Sequence, residues 1–154
     1  MPNNEKMSAK PIIILMAEDD EMDYEIISEA LSKLKIAHQV YWVKDGEELI
    51  DYLEHKNKYQ DALSSPTPDL IFLDLNMPKV SGFEALEEIK KNPVLCSIPV
   101  VILTTSSDQE DIEKSYQLGA NSYIQKSLNF EDFEGVVNLV GKYWFEYVHL
   151  PSKN

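Results

Sequence analysis

The chain has 154 residues, 44% of them apolar and 27% charged, with a formal net charge of −13 at pH 7 and one cysteine. This length suits a single domain with one proper core. No run approaches the roughly 20 apolar residues of a membrane span, and an acidic chain without a basic, aromatic-laced stripe is a poor direct partner for nucleic acid.

Residues 1–10 lack a basic region followed by an apolar core, so they read as a short disordered lead rather than a signal peptide. "PIIILMA" (11–17) is too short for a helix and too continuous for a half-exposed strand, and is predicted to be a strand buried on both faces. In 22–34, Met22, Ile26, Ala30 and Leu34 form an i, i+4 stripe widened by Ile27 and Leu31, which predicts an amphipathic helix. Asp20 or Asp23 would cap its start. "HQVYWV" (38–43) is a weaker strand, and 46–57 a helix with Leu49, Ile50 and Leu53 on one face.

Residues 58–68 form a connector rich in Ser and Pro. "LIFLD" (70–74) is the third strand, 83–91 the third helix and "IPVVILTT" (98–105) the fourth strand. The helix over 108–119 has acids in its first turn and stops at Gly119. "SYIQK" (122–126) closes the strand series, and a last helix runs over about 130–148 from an Asn129 cap. Cys96 is expected to be a buried or half-buried bystander thiol, in keeping with a reducing cytoplasm.

Five β-α repeats imply a doubly wound α/β fold, with a five-stranded parallel sheet, right-handed crossovers and helices on both faces. Sites in such folds form beyond the carboxyl ends of the strands, near the switch in strand order. The first strand ends in Glu18, Asp19 and Asp20, the third in Asp74, the fourth in Thr104 and Thr105, and the fifth in Lys126. Each has an ordinary explanation alone: a helix cap, strand propensity, or a solvated lysine. Together they make a parts list for phosphoryl transfer. Clustered carboxylates call for a hard divalent cation such as Mg²⁺. One carboxylate can then act as nucleophile, with a hydroxyl and an ammonium to meet the phosphoryl oxygens.

The motifs "LMAEDD", "FLDLNMPKVSGFEAL", "PVVILTTSS" and "GANSYIQK" stand in order on the expected elements, and with them the chain resembles the receiver domains of two-component response regulators. The resemblance implies a flavodoxin-like, CheY-like three-layer (βα)5 sandwich over 11–148, with 149–154 as a tail. It implies Asp74 as phosphoacceptor, and Asp19 and Asp74 as direct Mg²⁺ ligands. Glu18 would act on the metal through water and Asn76 through its backbone carbonyl. Thr104 and Tyr123 would form the switch pair, Lys126 would pair with the phosphoryl oxygens, and Pro78 and Gly82 would shape the loop after the acceptor.

Ser127 departs from the family pattern, which has Pro after the lysine in cis; a cis bond before serine would cost about 2.5–4 kcal/mol. The connector, the "KS" pair and the aromatic tail are similar to single-domain regulators paired with phytochrome kinases. The implied partners are a sensor histidine kinase, of phytochrome type by that likeness, and a second copy of the chain. The dimer would form through the last strand, the last helix and Trp144–Leu150, although Trp144 and Val148 could equally pack on the chain's own core. With no output module in view after residue 154, the expected output is protein contact in the cytoplasm, without membrane insertion.

Two other readings are carried. The strand-end Asp also resembles the nucleophile of haloacid-dehalogenase-type Mg²⁺ phosphohydrolases, against which stand Asn76, where those enzymes want an acid, and the short chain. The other is a pseudo-receiver scaffold that is never phosphorylated.

Overall fold

A computed structural model of the protein describes residues 10–152. The strands are β1 (Ile12–Ala17), β2 (His38–Val43), β3 (Leu70–Leu73), β4 (Val100–Thr104) and β5 (Ser122–Gln125). They alternate with α1 (Glu21–Ser32), α2 (Gly46–Glu54), α3 (Gly82–Lys91), α4 (Gln109–Gln117) and α5 (Phe130–Lys142). The strands form one parallel sheet in the order β2-β1-β3-β4-β5. Because β1 is flanked by β2 and β3, the winding direction reverses there, and the crevice of a doubly wound sheet opens at that point.

Strand alternation sorts the core into two layers. Leu15 and Ala17 point to the face covered by Leu49 and Leu53 of α2 and by Leu86 and Ile89 of α3. Ile14 and Met16 point to the other face, against Ile27 and Leu31 of α1 and Phe133 and Val137 of α5. The continuous apolar runs are therefore the mark of two-sided burial.

Helix starts follow local chemistry. Asp20 accepts from the Asp23 N–H, Asp45 from the Glu48 N–H and Asn129 from the Asp132 N–H. Ser81 and Glu84 form a full capping box at α3. α2 ends earlier than the sequence pattern predicts, because His55 takes a left-handed conformation (φ 55°) and its ring nitrogen meets the Ser65 carbonyl at 2.9 Å. A short 3₁₀ turn, Asn57–Tyr59, follows. Gly119, with φ 107°, ends the turn after α4 as expected.

Three expectations are corrected. Met22 is 71% exposed, so the buried stripe of α1 begins at its second turn with Ile27, Ala30 and Leu31. Cys96 is exposed, because the turn after α3 faces outward there. The last helix is not uniform to 148. α5 ends at Lys142 and passes into a π-helical turn, Tyr143–Tyr147, in which the Val148 N–H reaches the Tyr143 carbonyl. The inward residues Phe133, Val137, Gly141 and Phe145 recur every four positions. A 3.6-residue helix would rotate such a row off the core, and the wider final turn keeps Phe145 inward. The lead expected over residues 1–10 lies, apart from residue 10, outside the described residues.

Candidate functional site

Hydrogen bonding along the sheet brings the strand ends to one level. The Asp74 N–H bonds the Ala17 carbonyl, the Glu18 N–H bonds the Val43 carbonyl, and the Lys126 N–H bonds the Thr104 carbonyl. Glu18, Asp74, Thr104 and Lys126 are all buried, which is unusual for groups of these types. The Lys126 ammonium lies 2.6 Å from Glu18 Oε1, 2.9 Å from Asp74 Oδ2 and 2.8 Å from Asp23 Oδ2. Burial works against its charge. The hydrogen bond to Asp23 and the charges of Asp74 and Glu18 outweigh that and hold the ammonium above the ordinary lysine value.

The carboxylates are in excess. Glu18, Asp19 and Asp74 place carboxylate oxygens within 4.8 Å of one another, with Asp19 on the solvent side. Burial first, and then the neighbouring charge of Asp74, push the Glu18 carboxyl up to about 8. A like-charged, hard-oxygen donor set at this spacing suits a hard divalent cation, which would relieve the repulsion.

The loop after Asp74 is tied back to the site. The Asn76 N–H donates to Asp74 Oδ1 at 3.0 Å, and its side-chain amide donates to Thr104 Oγ1 at 3.3 Å. Asn76 therefore holds the Asp74 carboxylate with its backbone and links the end of β3 to the end of β4 with its side chain. Gly82 begins α3 against this loop. Its N–H bonds the Leu75 carbonyl, and a Cβ there would stand 2.5 Å from the Asp74 carbonyl oxygen. No side chain fits without moving the backbone of Asp74, which is why a glycine stands there.

Tyr123 is half-buried on the neighbouring strand, and its hydroxyl donates to the Ser106 carbonyl at 2.9 Å. Ser106 in turn donates from its side chain to Asp111 of α4 at 2.6 Å. No peptide bond among the described residues is cis, the Lys126–Ser127 bond included.

Two groups escaped the reading of the strand ends. Asp23 looked like a helix cap; Asp20 does the capping, and Asp23 instead reaches Lys126, 103 residues away along the chain. Trp42, in β2, donates its indole N–H to the Glu18 carbonyl at 2.7 Å. Neither contact has a local sequence signal, since both partners are distant.

The fold and this pocket define a receiver. The response regulator receiver domain family matches residues 14–138, and the chain belongs to that family. It is 41% identical over 145 residues to the response regulator Rcp1 of Synechocystis sp., covering 94% of this chain and 97% of that protein. It is 36% identical over 142 residues to the probable methanogenesis regulatory protein FilR2 of Methanothrix harundinacea, covering 92% and 89%. Two solved structures are also similar, each at a TM-score of 0.88 and 41% identity. The Mn²⁺-bound form of Rcp1 covers 92% of this chain and all of its own; the phosphorylated cyanobacterial phytochrome response regulator RcpA covers 93% and all of its own. The chain is thus a two-component response regulator receiver, and the phosphohydrolase reading is not favoured. Among the described residues no helix is long and apolar enough to cross a membrane.

Proposed function

We propose that Asp74 accepts a phosphoryl group from the phosphohistidine of a sensor histidine kinase, and that this changes a protein-binding surface. The observation that carries the reading is the ammonium of Lys126 held between Asp74 and Glu18, with Asp19 alongside. An Asp74 oxygen forms the new bond to phosphorus while the bond from phosphorus to the donor's imidazole nitrogen breaks, and that nitrogen keeps the electron pair. Lys126 and the Thr104 hydroxyl meet the phosphoryl oxygens as Asp74 loses its free charge. Asp19 and Asp74, with the Asn76 carbonyl and with Glu18 acting through water, would hold Mg²⁺, which when bound offsets the negative charge gathered on the phosphoryl group.

Thr104 and Tyr123 serve as the switch pair. Movement of the hydroxyl toward the phosphoryl group alters the space behind it, and the Tyr123 contact with Ser106 passes that change to the start of α4. The kinase is of phytochrome type, a reading supported by the likeness to RcpA, and the reaction belongs to the cytoplasm. The chain transfers a phosphoryl group to itself and turns over no substrate beyond slow loss of that group.

A homodimer face is part of the same proposal, on narrower residues than the sequence pattern indicates. Trp144, Phe145 and Leu150 pack on the chain's own core. Leu139, Tyr143 and Tyr147 stay exposed and border an apolar groove between α5 and β5.

Incubation with Mg²⁺ and a small phosphodonor tests the reading. A receiver holds a single phosphoryl group, a hydrolase turns the donor over, and a scaffold does neither.

A further inference from the structure

Asp23 lies outside the group of carboxylates that converge on a cation, and the chain supports it from both sides. Its own N–H is fixed by the Asp20 cap. The next residue, Tyr24, stacks face to face on Trp42, with ring centroids 3.9 Å apart and planes 7° from parallel. Trp42 is anchored in turn by its bond to the Glu18 carbonyl, and the Lys44 ammonium lies 4.8 Å from the Trp42 ring centroid. The first turn of α1 is thereby clamped to the end of β1, and Asp23 projects from it onto Lys126. The Asp23 side chain is 26% exposed while that of Lys126 is 5% exposed, so the carboxylate meets the ammonium from the solvent side.

From this geometry we infer that Asp23 is a positioning residue that holds Lys126 for phosphoryl transfer. The inference rests on Asp74 being the phosphoacceptor. Lys126 directly follows the short strand β5 and is joined by a trans peptide bond to Ser127, so its long side chain is aimed by what it touches. Without Asp23, the ammonium is left with Glu18 and Asp74 alone and settles deeper on Asp74, masking the oxygen that must attack. Asp23 draws it toward the place where a phosphoryl oxygen arrives.

The rival account has a different sign. If Asp23 were only another negative charge at the mouth, D23N would speed the reaction with an anionic donor. The positioning account predicts the reverse: the initial rate of phosphorylation by acetyl phosphate at saturating Mg²⁺ falls by about 10- to 100-fold in D23N, and D23E recovers most of it. In the K126Q background, D23N adds no further loss, because Asp23 acts through the lysine.

A D23N rate equal to or above the wild type, or an equal loss in both backgrounds, would overturn the inference. Unfolding midpoints of D23N and D23E, read in parallel, separate a rate effect from unfolding; if D23N does not fold, the D23S and K126Q/D23S rates decide by the same comparison. Failure of the wild type itself to take up phosphoryl, with D74N no different, would instead sink the phosphoacceptor reading.

Discussion

Glu18 is the residue whose surroundings most oppose its charge, through burial and then Asp74. A carboxyl raised from 4.5 to about 8 binds its proton more tightly in the folded chain than in the unfolded one. Its contribution to stability is therefore complete below the unfolded value and is lost as pH rises through about 8. In metal-free protein the unfolding midpoint should fall between pH 5 and pH 8.5 by more in the wild type than in E18Q, as read by thermal melts across that range. A cation needs the deprotonated site, so Mg²⁺ affinity should rise over the same interval, with proton release detectable by calorimetry in buffers of different ionisation heat. Glu18, Asp19, Asp74, Thr104 and Lys126 were legible in the sequence because each ends a recognisable strand. Asp23 was not, since a helix acid gives no sign of a partner 103 residues away. The exposure of Cys96 was equally hidden, because it depends on how one turn faces.

Two glycines show how elements are held to the site. At Gly82 a Cβ would run into the backbone of Asp74 and Leu75, whereas at Gly135, on the outer face of α5, it would meet nothing within 4 Å. G82A should cost about 1–3 kcal/mol by overpacking and slow phosphorylation, because the shift falls on Asp74 itself. G135A should stabilise the chain by about 0.5–1 kcal/mol through helix propensity alone and leave the phosphorylation rate unchanged. Denaturant titrations and rates on the same samples check both. The five strands and five helices could be read from apolar runs and amphipathic stripes, since two-sided burial and one-sided burial write different patterns. Their ends could not. His55 closes α2 through a left-handed backbone no composition rule anticipates, and the π turn after Lys142 depends on packing Phe145 against the far layer.

At the scale of the molecule, the exposed apolar residues of α5 and the turn after it are set apart from the acidic pocket. Leu139, Tyr143 and Tyr147 are 68%, 57% and 72% exposed. With the dimer proposed above, Y147E should shift the chain toward monomer in sedimentation velocity without changing its unfolding midpoint by more than about 0.5 kcal/mol equivalent, as for an exposed substitution. The sequence marked this region as aromatic but could not divide its residues between the chain's own core and its surface, because a π turn redirects them. The whole fold serves to bring distant strand ends together around Asp74, and that is where the account is most exposed. The most direct test is site mapping by mass spectrometry after incubation with Mg²⁺ and acetyl phosphate, with the aspartyl phosphate reductively trapped. The expected result is one added phosphoryl group in the intact mass before reduction and, after it, Asp74 alone reduced to the alcohol on the peptide containing residues 71–82 as phosphate leaves, with neither change in D74N. Phosphoryl on another residue, an unchanged yield in D74N, or sustained turnover of the donor without a trapped intermediate would contradict it.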